Sequence, residues 1–187
     1  MDKEHLYEDI LKTKEELVTL TTEFWTRYAG FDTWYFWVNV ATITLPLIIL
    51  YILIEKKRLF EICFFGYTTH VLWANIDNIM SMNNLIIHPH SLTHMLPVGI
   101  TVTTVLFPVT FMLLYQFCTD YKRNMYIYTI IASFIFAYGF GGLSLILDLL
   151  RLENGMNLFY LFLINIVITL ISYWFTKFFL KIKGTYV

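Results

Sequence analysis

A histidine and an aspartate, His70 and Asp77, stand seven residues apart in a largely apolar stretch, with Trp73 between them. Spacings of four and three residues put these side chains on one face of a helix, with Gly66 and Asn78 adjoining it. An imidazole and a carboxylate so placed could relay a proton, line a polar path, or act as acid and base. The plainer alternative is a pair of interhelical hydrogen bonds that orient packing. Asp148, with Arg151 three residues on, and Asn165 are further polar groups at or within apolar runs, and Asn157 and Gln116 fall in the same class. The stripe Ser133, Ala137, Gly141 and Ser144 leads to Asp148. Small side chains at that spacing suit close helix packing.

Three histidines, His88, His90 and His94, cluster around Pro89. With Asp77 they could supply four ligands to zinc or copper. Their spacing matches no compact metal motif, and Pro89 disturbs the helix that would bring His90 and His94 onto one face. Interfacial histidines are the simpler reading, and no metal and no cofactor are expected. The chain has no Ser-His-Asp order, no HExxH and no glycine-rich phosphate loop.

The elements that must hold these groups are membrane spans. Of the 187 residues, 58% are hydrophobic and 14% charged, against about 25% charged in an ordinary soluble domain. That composition excludes a disordered tail and a disulfide scaffold, and leaves little room for a soluble enzyme. A net charge of −1 gives no basis for a nucleic-acid partner. Five segments approach the roughly 20 apolar residues that cross a bilayer: about 34–54, 59–80, 96–118, 125–149 and 156–180. Residues 1–33 read as a separate arm, amphipathic through Leu6, Ile10, Leu17 and Phe24, and residues 34–187 as the membrane domain. The expected fold is therefore all-α: a bundle of five transmembrane helices preceded by an N-terminal amphipathic helix. Pro46 and Pro108 should kink the first and third spans.

Eight basic residues, Lys56, Lys57, Arg58, Lys122, Arg123, Lys177, Lys181 and Lys183, fall on one side of this arrangement, and the loops of the other side hold Arg151. The positive-inside rule then places the C-terminus in the cytoplasm and the N-terminus outside. Residues 1–23 lack the apolar core of a cleaved signal peptide. Cys63 and Cys118 fall near cytoplasmic ends and are expected as free thiols.

The pattern resembles a family of small, uncharacterised polytopic membrane proteins of spore-forming Gram-positive bacteria. The likeness runs through Phe36-Trp37 to Leu45-Pro46-Leu47, Phe64-Phe65-Gly66 to His70-Val71 and Asp77, His88-Pro89, Leu96-Pro97, Phe107-Pro108 to Tyr115-Gln116, and Gly155-Met156-Asn157. It covers about residues 34–181 and departs at His88, where an aromatic often precedes the proline in that family. The resemblance implies a bacterial plasma membrane or forespore membrane and carries no activity and no catalytic residue.

Three functions fit. The first is a non-enzymatic scaffold or accessory subunit, which suits the small-residue stripe and the arm, with lipid and other membrane proteins or further copies of the chain as partners. The second is a small transporter or channel component with a polar path through His70 and Asp77. The third is an intramembrane enzyme acting on lipid. The orientation is directly testable: a C-terminal reporter that works only in the cytoplasm should be active, and activity confined to an external reporter would reverse the assignment.

Overall fold

The computed structural model describes residues 2–94 and 101–185. It is all-α apart from one two-residue ladder. Six helices follow in order: α1 Lys3–Tyr28, α2 Trp34–Leu53, α3 Leu59–Met82, α4 Val102–Asp120, α5 Met125–Ile146 and α6 Leu158–Thr185. A single 3₁₀ turn, Lys56–Arg58, links α2 to α3. Strands β1, Ile86–Ile87, and β2, Arg151–Leu152, pair antiparallel, Ile86 opposite Leu152.

Four of these helices, α2, α4, α5 and α6, are long and apolar enough to cross a membrane. The expected span at 59–80 forms the 24-residue α3. Its polar residues, Glu61, His70, Asn75, Asp77 and Asn78, set it apart from the other four. Residues 96–100 of the expected third span lie outside the described residues. α1 is a helix with no buried residue.

α3 is the axis of the bundle and packs against both α4 and α6, while α5 packs on α6 and α2 lies against α4. Its buried positions are Ile62, Phe65, Gly66, Thr69, Trp73 and Asp77, a single stripe at helical spacing. Phe65 stacks on Tyr115 and Phe107 on Phe111, with ring centroids 4.7 and 4.2 Å apart. The outer surface of the bundle is apolar: Ile48, Tyr51 and Ile52 of α2 and Ile130, Ile131 and Ile135 of α5 are all exposed.

Local chemistry explains the helix ends. Thr33, Asn124 and Asn157 accept from the first free amides of α2, α5 and α6. Asn157, expected inside the last span, is thus its cap. α3, α4 and α5 stop the same way, with a left-handed residue just past the cap: Asn84 (φ 52°), Lys122 (φ 51°) and Asp148 (φ 55°). The next amide reaches back to the helix, as Leu85 N to Met80 O, Arg123 N to Cys118 O and Leu149 N to Ser144 O. Asp148 therefore lies beyond α5, in a turn, and does not continue the stripe of that helix as its spacing suggested. Arg151 sits on β2, and the two meet across the turn.

Two stretches are widened to i→i+5 bonding, Val102–Leu106 in α4 and Ile135–Gly141 in α5. The first ends two residues before Pro108, whose missing N–H leaves the Thr104 carbonyl without its usual donor. Gly66 leaves room on α3 for Met112 of α4, since a methyl group there would overlap the Met112 side chain. Gly66→Ala should destabilise the fold by about 1–3 kcal/mol. Combining it with Met112→Ala should recover part of that loss, with a coupling of at least about 0.5 kcal/mol in a double-mutant cycle by thermal melting. Strict additivity would show that the two helices do not touch there.

Candidate functional site

Asp77 lies on the last turns of α3 with its side chain 1% exposed. Its Oδ1 is 3.1 Å from His88 Nε2, and its Oδ2 has no partner. A carboxylate withdrawn from water needs hydrogen bonds or a counter-charge, and His88 is the group that reaches it. His88 belongs to the segment that leaves β1, eleven residues further along the chain.

Asp77 opens onto a cavity of about 80 Å³, room for two or three waters at about 30 Å³ each, or one small solute. Its walls are mostly apolar, with Val102, Phe136, Phe140 and Leu161 among them. Its polar groups are few and convergent: Asp77, His88, Trp73 and Asn165, with Asn39, Thr42, Thr103 and Ser144. Trp73 Nε1, Asp77 Oδ2 and Asn165 Oδ1 are buried without a partner, so one donor and two acceptors remain to be satisfied. Both widened stretches border this space, through Val102 and Thr103 in α4 and through Phe136, Ala137, Phe140 and Gly141 in α5. Such wide turns are rare and concentrate at functional sites.

A second cavity, of about 430 Å³, lies between α1 and the histidine segment. Leu20, Phe24 and Trp25 of α1 form one wall, and His88, Pro89, Ser91 and His94 the other. His88 lines both cavities. It stands between the two cavities, an outer vestibule and the mostly apolar chamber beside Asp77.

The histidine segment is tied down on several sides. Asn39 Nδ2 donates to His90 O at 2.7 Å and to Tyr35 O at 3.0 Å, and its Oδ1 accepts from Thr101 Oγ1. Trp25 Nε1 donates to Ser91 O. The His90 ring stacks on Tyr35 with centroids 3.5 Å apart, and its Nε2 lies 3.6 Å from Asp148. Arg151 grips Asp148 with two hydrogen bonds, 2.7 and 3.0 Å. That grip holds the Asp148 carboxyl below its usual range. The salt link therefore persists above ordinary carboxylate pKa values and is lost only as pH falls below them.

Of the polar groups singled out in the sequence, the structure brings Asp77 and Asn165 together with His88. Ala137, Gly141 and Ser144 border the same cavity, and Ser133 is buried in the packing below it. The small-residue stripe thus faces the interior of its own bundle, where a Cβ on Gly141 would sit 3.3 Å from Leu158. His70 lies two turns down α3, half-buried, with Nδ1 unpartnered, and does not line the cavity. Asn78 is half-buried on a neighbouring face, and Asp148 sits at the rim. The three outer histidines point to three different partners: Asp77, Tyr35 and Trp25. They lie on no helix. Among the described residues no three His, Cys, Asp or Glu side chains could hold a metal together.

Several contributors escaped the sequence reading. Asn39 is one. Another is the run Thr169, Ser172 and Thr176, which continues the stripe of α6 that Asn165 begins, each no more than 1% exposed. Its hydroxyls bond carbonyls of their own helix, so its 4-3-4 spacing was the available signal. At the opposite end of the bundle Arg58 joins Glu61, Asp120 and Thr119. The hydrogen bond to Glu61 holds the guanidinium above its ordinary pKa. Gln116, expected within a span, closes the end of α2 by donating to Leu53 O and accepting from Glu55 N.

No protein-family model matches the chain, and comparison with curated proteins and with solved structures found no similar protein. Asn39→Leu should cost about 1–3 kcal/mol, because the His90 carbonyl and the Thr101 hydroxyl lose their partner. Hydrogen exchange across residues 86–94 should quicken in that variant, and unchanged exchange would show that Asn39 does not anchor the segment.

Proposed function

We propose that this chain is an integral membrane protein of five spans, α2 to α6, that serves as a solute-binding component of a bacterial membrane assembly. The apolar flanks of α2, α4, α5 and α6 support insertion. The place of α3 supports a fifth span: it runs between α4 and α6 with Thr69 and Asp77 buried on its inward face. The eight basic residues at the end opposite the histidines support a cytoplasmic C-terminus and an outer vestibule.

The observation that carries the binding reading is the position of His88. It lines the vestibule and the chamber at once, and it occupies one oxygen of the carboxylate that the chamber encloses. A small cation entering from outside meets a route that ends on Asp77 Oδ2 and Asn165 Oδ1, two buried acceptors without donors. The apolar walls hold the body of such a solute and exclude bulk water. Desolvation then strengthens its attraction to the carboxylate. His88 must turn aside, or exchange its hydrogen bond, for the solute to pass.

The assembly reading rests on α1. Leu6, Ile10, Leu17 and Phe24 of that helix remain 44–58% exposed, which suits a lipid surface or a second protein. The acidic balance of the arm favours a protein over an anionic lipid.

Thiol chemistry tests the route. In a chain with Cys63→Ser and Cys118→Ala, Ser144→Cys should react with external aminoethyl methanethiosulfonate at least about ten times faster than the deeper Ser133→Cys. His88→Ala should speed the reaction further. Asp77→Asn should slow this cationic reagent severalfold relative to neutral methyl methanethiosulfonate. Equal, slow labelling of the two cysteines would remove the proposed route.

A further inference from the structure

At the basic end, α3 and α6 diverge around a groove of about 520 Å³ that is separate from the Asp77 chamber. Four cations, Lys56, Lys57, Arg58 and Lys183, stand at its mouth. Among the described residues the one carboxylate that lines it, Glu61, is already engaged. Arg58 donates to both of its oxygens and Tyr115 donates to one. The three lysines are left with charge to spare. Below them the groove is apolar. Phe64 meets Phe179 edge-to-face at 5.3 Å, and Phe60 is 89% exposed at the rim.

We propose that this groove binds one anionic phospholipid, its headgroup phosphate among Lys56, Lys57 and Lys183 and an acyl chain along Phe64, Phe179 and Leu180. Charge and shape select that occupant together. A zwitterionic headgroup offers no net negative charge to unneutralised lysines, and a free phosphate has nothing to fill the aromatic floor. The site sits where the cytoplasmic leaflet would place its headgroups, so the assignment uses the orientation argued above but not the binding role of Asp77. Basic pockets between helices on that side are the established setting for acidic lipids, and each lysine near the surface is worth about fivefold in affinity.

Native mass spectrometry of the full-length protein in mild detergent tests this, with titrations of phosphatidylglycerol, phosphatidylcholine and inorganic phosphate. One phosphatidylglycerol should be retained at least about tenfold more strongly than phosphatidylcholine. The triple variant Lys56→Gln, Lys57→Gln, Lys183→Gln should lose that preference, and the control Lys3→Gln, Lys12→Gln, Lys14→Gln should keep it. Leu180→Trp, which fills the floor, should weaken retention while leaving the lysines in place. Matched melting curves confirm that the variants are folded. Equal retention of the two lipids, unchanged preference in the lysine variant, or displacement of the lipid by millimolar inorganic phosphate would each overturn the proposal. Because Asp77→Asn is expected to leave lipid retention untouched, failure here is distinguishable from failure of the solute-binding reading.

Discussion

A carboxylate buried among helices has to be answered by another group, and in this protein the answer comes from outside the helices. Asp77 sits on α3, the axis of the bundle, and His88 reaches it from the segment that follows β1. That one hydrogen bond draws the segment down over the end of the bundle. Once it is there, Asn39 can bond the His90 carbonyl, Trp25 can bond the Ser91 carbonyl, and Tyr35 can stack on the His90 ring. The β1–β2 ladder and the His90–Asp148 pair then fasten the α5–α6 connection to the same place. Removing the carboxylate's partner leaves an uncompensated acid in an apolar setting, so the histidine end stands or falls on this contact.

The chamber beside Asp77 exists because the helices around it are imperfect. A regular α-helix packs its neighbours closely, and a stripe as small as Ala137, Gly141 and Ser144 should bring α5 very near to what it faces. The widened turns of Ile135–Gly141 and Val102–Leu106 shift the side chains of both helices around the same space. What remains is a small volume with apolar walls and unpaired polar atoms on Trp73, Asp77 and Asn165. An irregular backbone in an apolar bundle is tolerated where it borders a cavity, and that is where this chain places it.

The two ends of the bundle solve the problem of charge differently. At the histidine end one acid is held by a neutral-capable ring and left partly unsatisfied. At the basic end Arg58 is bound by Glu61, Asp120 and Thr119 together, which ties the start of α3 to the end of α4. The first arrangement can exchange partners, and the second is a rivet. The lysines around that rivet are not consumed by it, which is why the groove between α3 and α6 keeps a positive mouth over an aromatic floor.

Much of the architecture was legible in the residues alone. Runs of apolar side chains and charged breaks are local signals, and they located α2, α3, α5 and α6 to within a few residues at most ends. Asp77 and Asn165 stood out because polar groups in apolar runs are costly wherever they fall. Their meeting was not legible: they are 88 positions apart, and periodicity assigns a face to each helix without saying which faces oppose. The partner of Asp77 was hidden for the same reason, since His88 lies in a segment with no period and the eye reads its three histidines as a set. Asp148 was misplaced because a left-handed turn at an aspartate has no signature as plain as glycine. The wide turns, the chamber they border and the His88 position between two cavities arise from how six helices settle against one another. Packing is a property of the whole chain and leaves no mark on any short stretch of it.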